Sequence, residues 1–207
     1  MPSMIVRRIL LGPMANFGYL VGDETTGRAA AIDPSFDGRP LEREARRLGL
    51  AIDLALATHG HPDHVQDLER FARAVGAKVG AHRLSPVRKD LELEDGQRLS
   101  LGGVTIEVLH TPGHTPDGVC YLAGDALFTG DTLFVGECGR VDLPGSDVRA
   151  MHHSLLVRLR GLPDHLTVYP GHDYGPAPTA RLGDQKRDNH TLRPRTYEEF
   201  ARFMGEP

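Results

Sequence analysis

The stretch Thr58-His59-Gly60-His61-Pro62-Asp63-His64 carries three imidazoles and one carboxylate in quick succession. It begins where an apolar run, residues 52–57, ends, and a helical pattern follows it. Clustered imidazoles repel one another when protonated and lose solvation when buried, and a divalent cation removes both penalties. Imidazole nitrogen and carboxylate oxygen suit Zn²⁺, Fe²⁺ or Mn²⁺. The stretch therefore predicts a metal site at the end of a strand.

The spacing within this stretch predicts two directions of ligation. His59 and His61 are two residues apart on extended chain, so their side chains project towards the same side. Asp63 and His64 are adjacent at the start of a helix and can turn towards a second point. The alternative is a solvated polar loop, but a chain with 11 histidines in 207 residues seldom produces this pattern by chance.

Three later segments add ligand-type side chains. His114 lies in segment 111–115, Asp131 in segment 128–131 and His172 in segment 169–174, each beside a glycine and after a predicted strand. Loops at the carboxyl ends of strands gather to form a site in α/β proteins. Seven candidates are too many for one tetrahedral ion and suit two ions that share a carboxylate.

The composition bounds the class of protein. The chain is 40% hydrophobic and 25% charged, which fits one globular domain over residues 1–207. No apolar run approaches the length of a membrane span, and the first eleven residues lack the order of a secretion signal. Two cysteines form no disulfide framework, so we expect a cytoplasmic protein. A net charge of −4 without a block of like charges argues against a nucleic-acid partner.

The hydrophobic periodicity predicts an α/β chain. A helix opens at Pro40, and further helices are predicted over residues 63–75, over 147–162 with Ser146 as its cap, and over 197–204. The predicted strands cover residues 5–11, 18–22, 29–33, 52–58, 77–81, 97–101, 104–109, 119–122, 126–129 and 166–169.

Together these motifs resemble the metallo-β-lactamase-fold hydrolase superfamily. The likeness rests on His-x-His-x-Asp-His, then Pro-Gly-His-Thr, Thr-Gly-Asp and Pro-Gly-His-Asp-Tyr, in that order from residue 58 to residue 174. It implies a single-domain, four-layer αββα sandwich with the metals at the edge between two sheets.

The resemblance also implies a role for each of the seven side chains. One ion is held by His59, His61 and His114. The other is held by Asp63, His64 and His172. Asp131 bridges the two ions, and Asp63 and Asp131 are the carboxylates to which we assign a catalytic role. Asp33, at the end of a predicted strand, either orients one of these imidazoles or only ends the strand.

Within the superfamily, segment 130–140 is similar to glyoxalase II, the hydroxyacylglutathione hydrolase. The likeness implies that Arg140 and Tyr174 contact the substrate. Asp142 stands where that enzyme usually has an aromatic residue, and we expect no counterpart of its helical carboxyl-terminal domain. Shorter bacterial glyoxalase II-like proteins resemble segment 139–145, Gly-Arg-x-Asp-Leu-Pro-Gly.

Two alternatives remain within the same fold. The persulfide dioxygenase branch has a similar Cys-Gly-Arg-x-Asp element and keeps the seven side chains, but it uses one Fe²⁺ on only three of them, here His59, His114 and Asp131. The ligand set alone therefore does not separate the two branches. Leu143-Pro144 departs from the Phe-Gln expected in that branch. The other alternative is a different metallohydrolase. A β-lactamase is disfavoured, because Asp131 stands where the antibiotic-hydrolysing zinc members commonly have cysteine.

The expected function is therefore that of a metallohydrolase of the glyoxalase II type. It would cleave a glutathione-type thioester with a hydroxide that bridges two divalent ions, zinc, iron or manganese. The expected partner is a small thiol-derived substrate, with no nucleic acid and no membrane, and the chain is expected to be a monomer or a homodimer. The dioxygenase alternative would need one iron and glutathione persulfide.

Overall fold

Two six-stranded β-sheets form the centre of the computed structural model, which describes residues 4–193 and 195–205. The remaining residues of the predicted domain, 1–3, 194 and 206–207, lie outside the described part. The strands are β1 (Met4–Leu11), β2 (Asn16–Asp23), β3 (Arg28–Ile32), β4 (Ala51–Leu56), β5 (Lys78–His82), β6 (Leu91–Leu93), β7 (Arg98–Leu101), β8 (Val104–His110), β9 (Val119–Ala123), β10 (Ala126–Gly130), β11 (Thr167–Pro170) and β12 (Ala180–Arg181).

Helices cover both outer faces of this pair of sheets. They are α1 (Arg39–Arg47), α2 (Pro62–Val65), α3 (Leu68–Val75), α4 (Val148–His152), a π-helical segment (His153–Leu159), α5 (Leu182–Asp188), a 3₁₀ turn (His190–Leu192) and α6 (Tyr197–Phe203). In the described part of the chain, no helix has the length and apolar character needed to cross a membrane.

The first sheet follows chain order, β1-β2-β3-β4-β5-β6. Strands β1 to β3 pair antiparallel, whereas β3 to β6 pair parallel. The second sheet has the order β12-β11-β10-β9-β8-β7 and is antiparallel except for the β10–β11 pair. A parallel pair needs a crossover connection, and α4 with the π-helical segment supplies it here.

Three apolar clusters make this a four-layer αββα sandwich, which confirms the predicted fold class. The central cluster joins the facing sides of the two sheets and includes Ile32 and Leu56 from one and Ile106 and Phe128 from the other. A second cluster packs α1 and α3 on the outer face of the first sheet. A third packs α4, the π-helical segment, α5 and α6 on the second sheet. Burial of these apolar faces drives the assembly of the layers.

The prediction of one continuous helix over residues 63–75 is wrong, because the structure divides this segment into α2 and α3. Asp67 lies at the break. Its backbone N–H donates to the carbonyl of Ser35, and its carboxylate accepts from the backbone N–H of Gly38 at 2.7 Å. These bonds to a distant loop replace the continuation of the helix, so the amphipathic pattern alone missed the break.

The predicted helix 147–162 also differs in detail. Asp147, not Ser146, is the N-cap, because its side chain accepts from the backbone N–H of Ala150. The hydroxyl of Ser146 donates instead to the carbonyl of Leu143. The helix continues past α4 in π-helical form to Leu159. Strands β6 and β12 and helix α5 were not predicted, because they are short or have too few apolar residues for a periodic signal.

Two hydrogen bonds tie the metal-loop stretch, residues 58–64, and the residue before it to the opposite sheet. The backbone N–H of Val119 in β9 donates to the carbonyl of Thr58 at 2.8 Å. The buried hydroxyl of Tyr121, also in β9, donates to the carbonyl of Ala57 at 2.6 Å. The loop after β4 is therefore held at the edge where the two sheets meet.

Candidate metal centre

All seven predicted ligands come together at one edge of the sandwich. His59 and His61 lie in the loop after β4, and Asp63 and His64 lie in α2. The other three follow strands of the second sheet: His114 after β8, Asp131 after β10 and His172 after β11. Four strands, β4, β8, β10 and β11, thus deliver their ligands where their regular hydrogen bonding ends.

His59, His61 and His114 form the first cluster. His61 Nδ1 lies 3.1 Å from His59 Nε2 and 3.0 Å from His114 Nε2. Nitrogens that bind one tetrahedral Zn²⁺ at about 2.0–2.1 Å lie about 3.4 Å from one another. The three nitrogens already converge at nearly the separation that one ion requires.

Asp63, His64 and His172 form the second cluster. The Nε2 atoms of His64 and His172 are 3.1 Å apart. Asp63 Oδ2 lies 3.4 Å from His64 Nε2 and 3.3 Å from His172 Nε2. Two nitrogens and one carboxylate oxygen therefore face a second point.

The carboxylate of Asp131 lies between the two clusters. Its Oδ1 is 3.3 Å from His64 Nε2, and its Oδ2 is 3.5 Å from His114 Nε2 and 3.4 Å from His172 Nε2. His59 also groups with His64 and Asp131. A single carboxylate thus reaches ligands of both clusters, which is the arrangement needed to bridge two ions.

Hydrogen bonds on the far side of the ring orient two members of the first cluster, His59 and His114. His59 Nδ1 is 3.1 Å from the Thr58 hydroxyl, and His114 Nδ1 donates to the Arg140 carbonyl at 2.8 Å. These contacts leave the Nε2 atoms directed into the site. Partners of this kind set the tautomer and the orientation of a metal-binding imidazole.

The second cluster is oriented at every member. His64 Nδ1 lies 2.9 Å from Asp33 Oδ2, and His172 Nδ1 donates to the carbonyl of Met14 at 2.9 Å. Asp63 Oδ2 accepts from the side-chain amide of Asn16 at 2.8 Å. Asp33, at the end of β3, therefore does orient an imidazole.

Asp33 holds the metal-loop stretch as well as the ring of His64. Its carboxylate accepts from the backbone N–H of Thr58 at 2.7 Å and from the Thr58 hydroxyl at 2.6 Å. The residue adopts a left-handed backbone, with φ of 49°, which is uncommon outside glycine. Aspartate is among the residues that tolerate this conformation.

The electrostatics of the site differ between the clusters. Burial, reinforced by neighbouring imidazoles, lowers the pKa of His59 and of His61, so these rings are neutral and free to ligate. Burial also opposes a charge on His172, but hydrogen bonds to Asp131 and Asp63 outweigh it and raise its pKa to about 9.

The other members of the second cluster follow the same pattern. Burial would lower the pKa of His64, but the carboxylates of Asp131 and Asp33 raise it well above its usual value. Burial would raise the pKa of Asp131 and Asp63, but the imidazoles around them lower it. The second cluster without a cation therefore carries protons that a bound cation would displace.

The donor set fits two divalent cations, zinc or iron. Five imidazole nitrogens and two carboxylates are the ligand types that these ions take. Asp131 Oδ1 is buried and has no hydrogen-bond partner among the described residues, which leaves a lone pair directed into the site. Gly171 preserves this opening, because a Cβ there would lie 2.3 Å from Asp131 Oδ1.

A pocket of about 390 Å³ opens onto the centre. His61, His114 and His172 line it together with Asp63 and Asp131, whereas His59 and His64 are buried beneath. A substrate can thus reach both clusters from one side, and the far side is sealed by the protein.

Both predicted substrate-binding residues line this pocket. Tyr174 is 56% exposed, and its ring stacks on that of His172 with centroids 4.4 Å apart. Arg140 also lines the pocket, but its guanidinium forms a two-point ion pair with Asp142 at 2.6 and 2.7 Å. This ion pair was not predicted. A carboxylate on a bound molecule would have to displace Asp142 from Arg140.

Three features of the site were missed from the sequence: the buried Asn16 amide beneath the pocket, the Met14 carbonyl and the ring of Phe134. Phe134 contacts the Tyr174 ring edge-on with centroids 5.5 Å apart. Met14 lies in the β1–β2 turn and Asn16 begins β2, both far from the motifs along the chain. An Asn at a predicted turn is ordinary, so no local signal distinguished it.

A family model described as the metallo-β-lactamase superfamily matches residues 11–172. Three curated relatives illustrate the functions found among similar chains. The Probable polyketide biosynthesis zinc-dependent hydrolase BaeB of Bacillus velezensis is 33% identical over 198 residues, 92% of this chain and 88% of its own. The Hydroxyacylglutathione hydrolase of Polaromonas sp. is 40% identical over 179 residues, 83% and 67% of the two chains. The mitochondrial Persulfide dioxygenase ETHE1 of Homo sapiens is 31% identical over 209 residues, 98% and 81%.

Two solved structures show the same fold. ETHE1 from Myxococcus xanthus has a TM-score of 0.88 and 32% identity, over 97% of this chain and 90% of its own. The protein TTHA1623, determined in a di-iron-bound form, has a TM-score of 0.77 and 34% identity, over 90% and 100% of the two chains.

The raised pKa of His172 predicts that cation affinity depends on pH. A cation binds only the neutral ring, so below about pH 9 its binding must displace the proton. The apparent affinity should therefore rise at least about tenfold per pH unit between about pH 6 and about pH 8.

Competition with a chelator of known affinity measures this dependence, and calorimetry in buffers of different ionisation enthalpy counts the protons released. An affinity that is constant over this range, with no proton release, would contradict the assigned charge state of the second cluster.

Proposed function

The chain belongs to the metallo-β-lactamase superfamily, and from that premise we propose that it is a thioester hydrolase of the glyoxalase II type. The proposed reaction adds water to a glutathione-type thioester and yields a carboxylate and a free thiol. The observation that carries the proposal is the complete second cluster, in which Asp63, His64 and His172 each have their own orienting hydrogen bond.

A complete second cluster supports two-cation chemistry. Side chains that serve no ligand role do not need three orienting partners, two of which, Asn16 and Asp33, are buried, because burial of unneeded polar groups is costly. Two cations held by these clusters supply a water of lowered pKa and a Lewis acid for a carbonyl oxygen. This chemistry is suited to thioester hydrolysis at neutral pH.

The chain's own residues prepare the site for that reaction. The lowered pKa of Asp63 and of Asp131 keeps both carboxylates ionised as ligands. The buried rings of His59 and His64 close the floor of the pocket and exclude bulk water. Because the partners of the rings are already in place, little reorganisation is needed on binding.

The outer part of the pocket supports a thiol-derived substrate with a negative charge. The guanidinium of Arg140 can pair with a substrate carboxylate in place of Asp142, since both side chains of this ion pair are more than 60% exposed. The rings of Tyr174 and Phe134 offer an apolar wall, and the Tyr174 hydroxyl can donate a hydrogen bond.

A second candidate is oxidation of a persulfide on a single iron. Two observations favour it: the 31% identity to the human persulfide dioxygenase, and the position of Asp131 Oδ2 3.5 Å from His114 Nε2, in reach of the cluster that contains His59. These three residues would form a two-histidine, one-carboxylate triad with open positions for O₂. That chemistry leaves the oriented second cluster without a role.

The two candidates are separated by assaying one preparation for both reactions. Protein purified without oxygen or chelator would be loaded with Zn²⁺ or Fe²⁺ and tested for thiol release from S-lactoylglutathione. Oxygen uptake would be measured with glutathione persulfide. We expect thiol release with two cations bound. Oxygen uptake by the single-iron form, without thiol release, would contradict the proposal.

The variant His64→Gln sharpens this test. It removes a ligand of the second cluster and leaves His59, His114 and Asp131 in place. Loss of a hydrogen-bond partner of a metal ligand typically lowers activity about 10- to 100-fold. In a two-cation hydrolase, loss of the ligand itself should lower the rate of thiol release by more than that. A single-iron dioxygenase should keep most of its oxygen uptake.

Arg140→Ala should raise KM for an anionic thioester about two- to fivefold and leave kcat nearly unchanged. The reason is that an exposed ion pair contributes little free energy and binds substrate and transition state alike. Steady-state kinetics at low and high salt, with an anionic and a neutral thioester, measure the effect.

Asp142→Asn is the matched variant for that experiment, because it releases the same guanidinium from its internal partner. It should lower KM for the anionic thioester and leave the neutral one unaffected. An equal rise in KM for both thioesters in Arg140→Ala would show that Arg140 acts through pocket shape and not through charge.

A further inference from the structure

We propose that residues 12–16, the turn between β1 and β2 together with the first residue of β2, control the occupancy of the second cation site, with Asn16 as the positioning residue. These five residues are called the turn below. This inference rests on the two-cation centre of the proposed function, but it concerns cation retention and not the reaction. It assigns a role to a part of the chain that holds none of the ligands.

Asn16 is fully buried, and its amide faces Asp63. Its Nδ2 donates to Asp63 Oδ2 at 2.8 Å, and a carboxylate oxygen can only accept, so the amide has one allowed orientation. In that orientation its Oδ1 has no hydrogen-bond partner among the described residues. Asn16 therefore has one polar contact through its side chain, and that contact fixes a ligand of the second cluster.

The rest of the turn holds the other side of the same cluster. The carbonyl of Met14 accepts from His172 Nδ1 at 2.9 Å. The backbone N–H of Phe17 donates to the Gly171 carbonyl at 2.8 Å, and that of Asp173 donates to the Ala15 carbonyl at 2.9 Å. His172 and the residue after it are thus bonded to residues 12–16, and the residue before it is bonded to Phe17, the next residue of β2.

The backbone of the turn is set for this purpose. Ala15 has a φ of 56°, in the left-handed region that a residue with a Cβ seldom adopts. Its carbonyl is the acceptor for Asp173, and its neighbours Met14 and Asn16 make the two contacts to ligands. A strained residue at this position is maintained by the surrounding bonds.

The turn acts on one cluster and not on the other. His59 and His114 are oriented by Thr58 and by the carbonyl of Arg140, and neither partner belongs to residues 12–16. Loosening the turn should therefore weaken the second site and leave the first site intact. The ratio of bound cations to chain, two or one, would then depend on residues 12–16.

The test counts cations in Asn16→Ala and in Asn16→Leu, which keeps the buried volume but has no donor. Each protein would be loaded with Zn²⁺, passed through a desalting column and measured by mass spectrometry of the metal. We expect two ions in the natural chain and about one in each variant. The affinity of the weaker site should fall by about 10- to 100-fold in a chelator titration.

Asp23→Ala is the matched control. Asp23 is buried at the opposite end of the same strand, β2, where it accepts from Thr26 and from the backbone of Gly103. Its loss should destabilise the strand without changing the cation count. Circular dichroism of every variant, with and without Zn²⁺, reports whether the fold is kept.

The outcomes separate this inference from the proposed function. A folded Asn16→Leu protein that keeps both ions with natural affinity overturns the inference. An equal loss of ions in Asp23→Ala also overturns it, because the effect would then follow stability alone. Retention of only one ion by the natural chain also overturns the inference. Two ions in the natural chain, one in the Asn16 variants and no thiol release would support the inference and reject the thioester hydrolase.

Discussion

The burial of five imidazoles and two carboxylates at one edge of the sandwich is the constraint on which the rest of the structure depends. Without compensation, rings whose nitrogens lie 3.0–3.1 Å apart would repel when protonated. Asp131 compensates from the centre, since its two oxygens reach both clusters. The cations that this donor set fits would complete the compensation when bound.

The surrounding protein can be understood as a frame that keeps these donors in place. Strands β4, β8, β10 and β11 end at the site and deliver ligands just where their ladders stop. Asp33 fixes both the first residue of the metal-loop stretch and the ring of His64. Val119 ties the same stretch to the opposite sheet, and Tyr121 ties the residue that precedes it. The centre therefore depends on both sheets at once, and it cannot form on either alone.

The hydrophobic periodicity predicted an α/β chain and the short motifs marked the seven candidate ligands, because both signals are short-range. The four-layer sandwich and the division of the ligands between two ions were implied by the family resemblance. Residues His59 to His64 are six consecutive residues, and His114, Asp131 and His172 each stand beside a glycine after an apolar strand. What these patterns missed depends on contacts between distant segments. The break at Asp67 follows from its bond to Gly38, and the role of Asn16 follows from its bond to Asp63, 47 residues away. The pairing of Arg140 with Asp142 is local, but an exposed ion pair leaves no periodic signal.

The central claim, that two cations share Asp131, is tested most directly by anomalous diffraction from a crystal of the natural chain grown with Zn²⁺ or Fe²⁺. We expect two peaks in the anomalous difference map at the metal's absorption edge. One should lie among His59, His61 and His114 and the other among Asp63, His64 and His172, with an oxygen of Asp131 bonded to each. A single peak, or two peaks of which one has no contact with Asp131, would contradict the account.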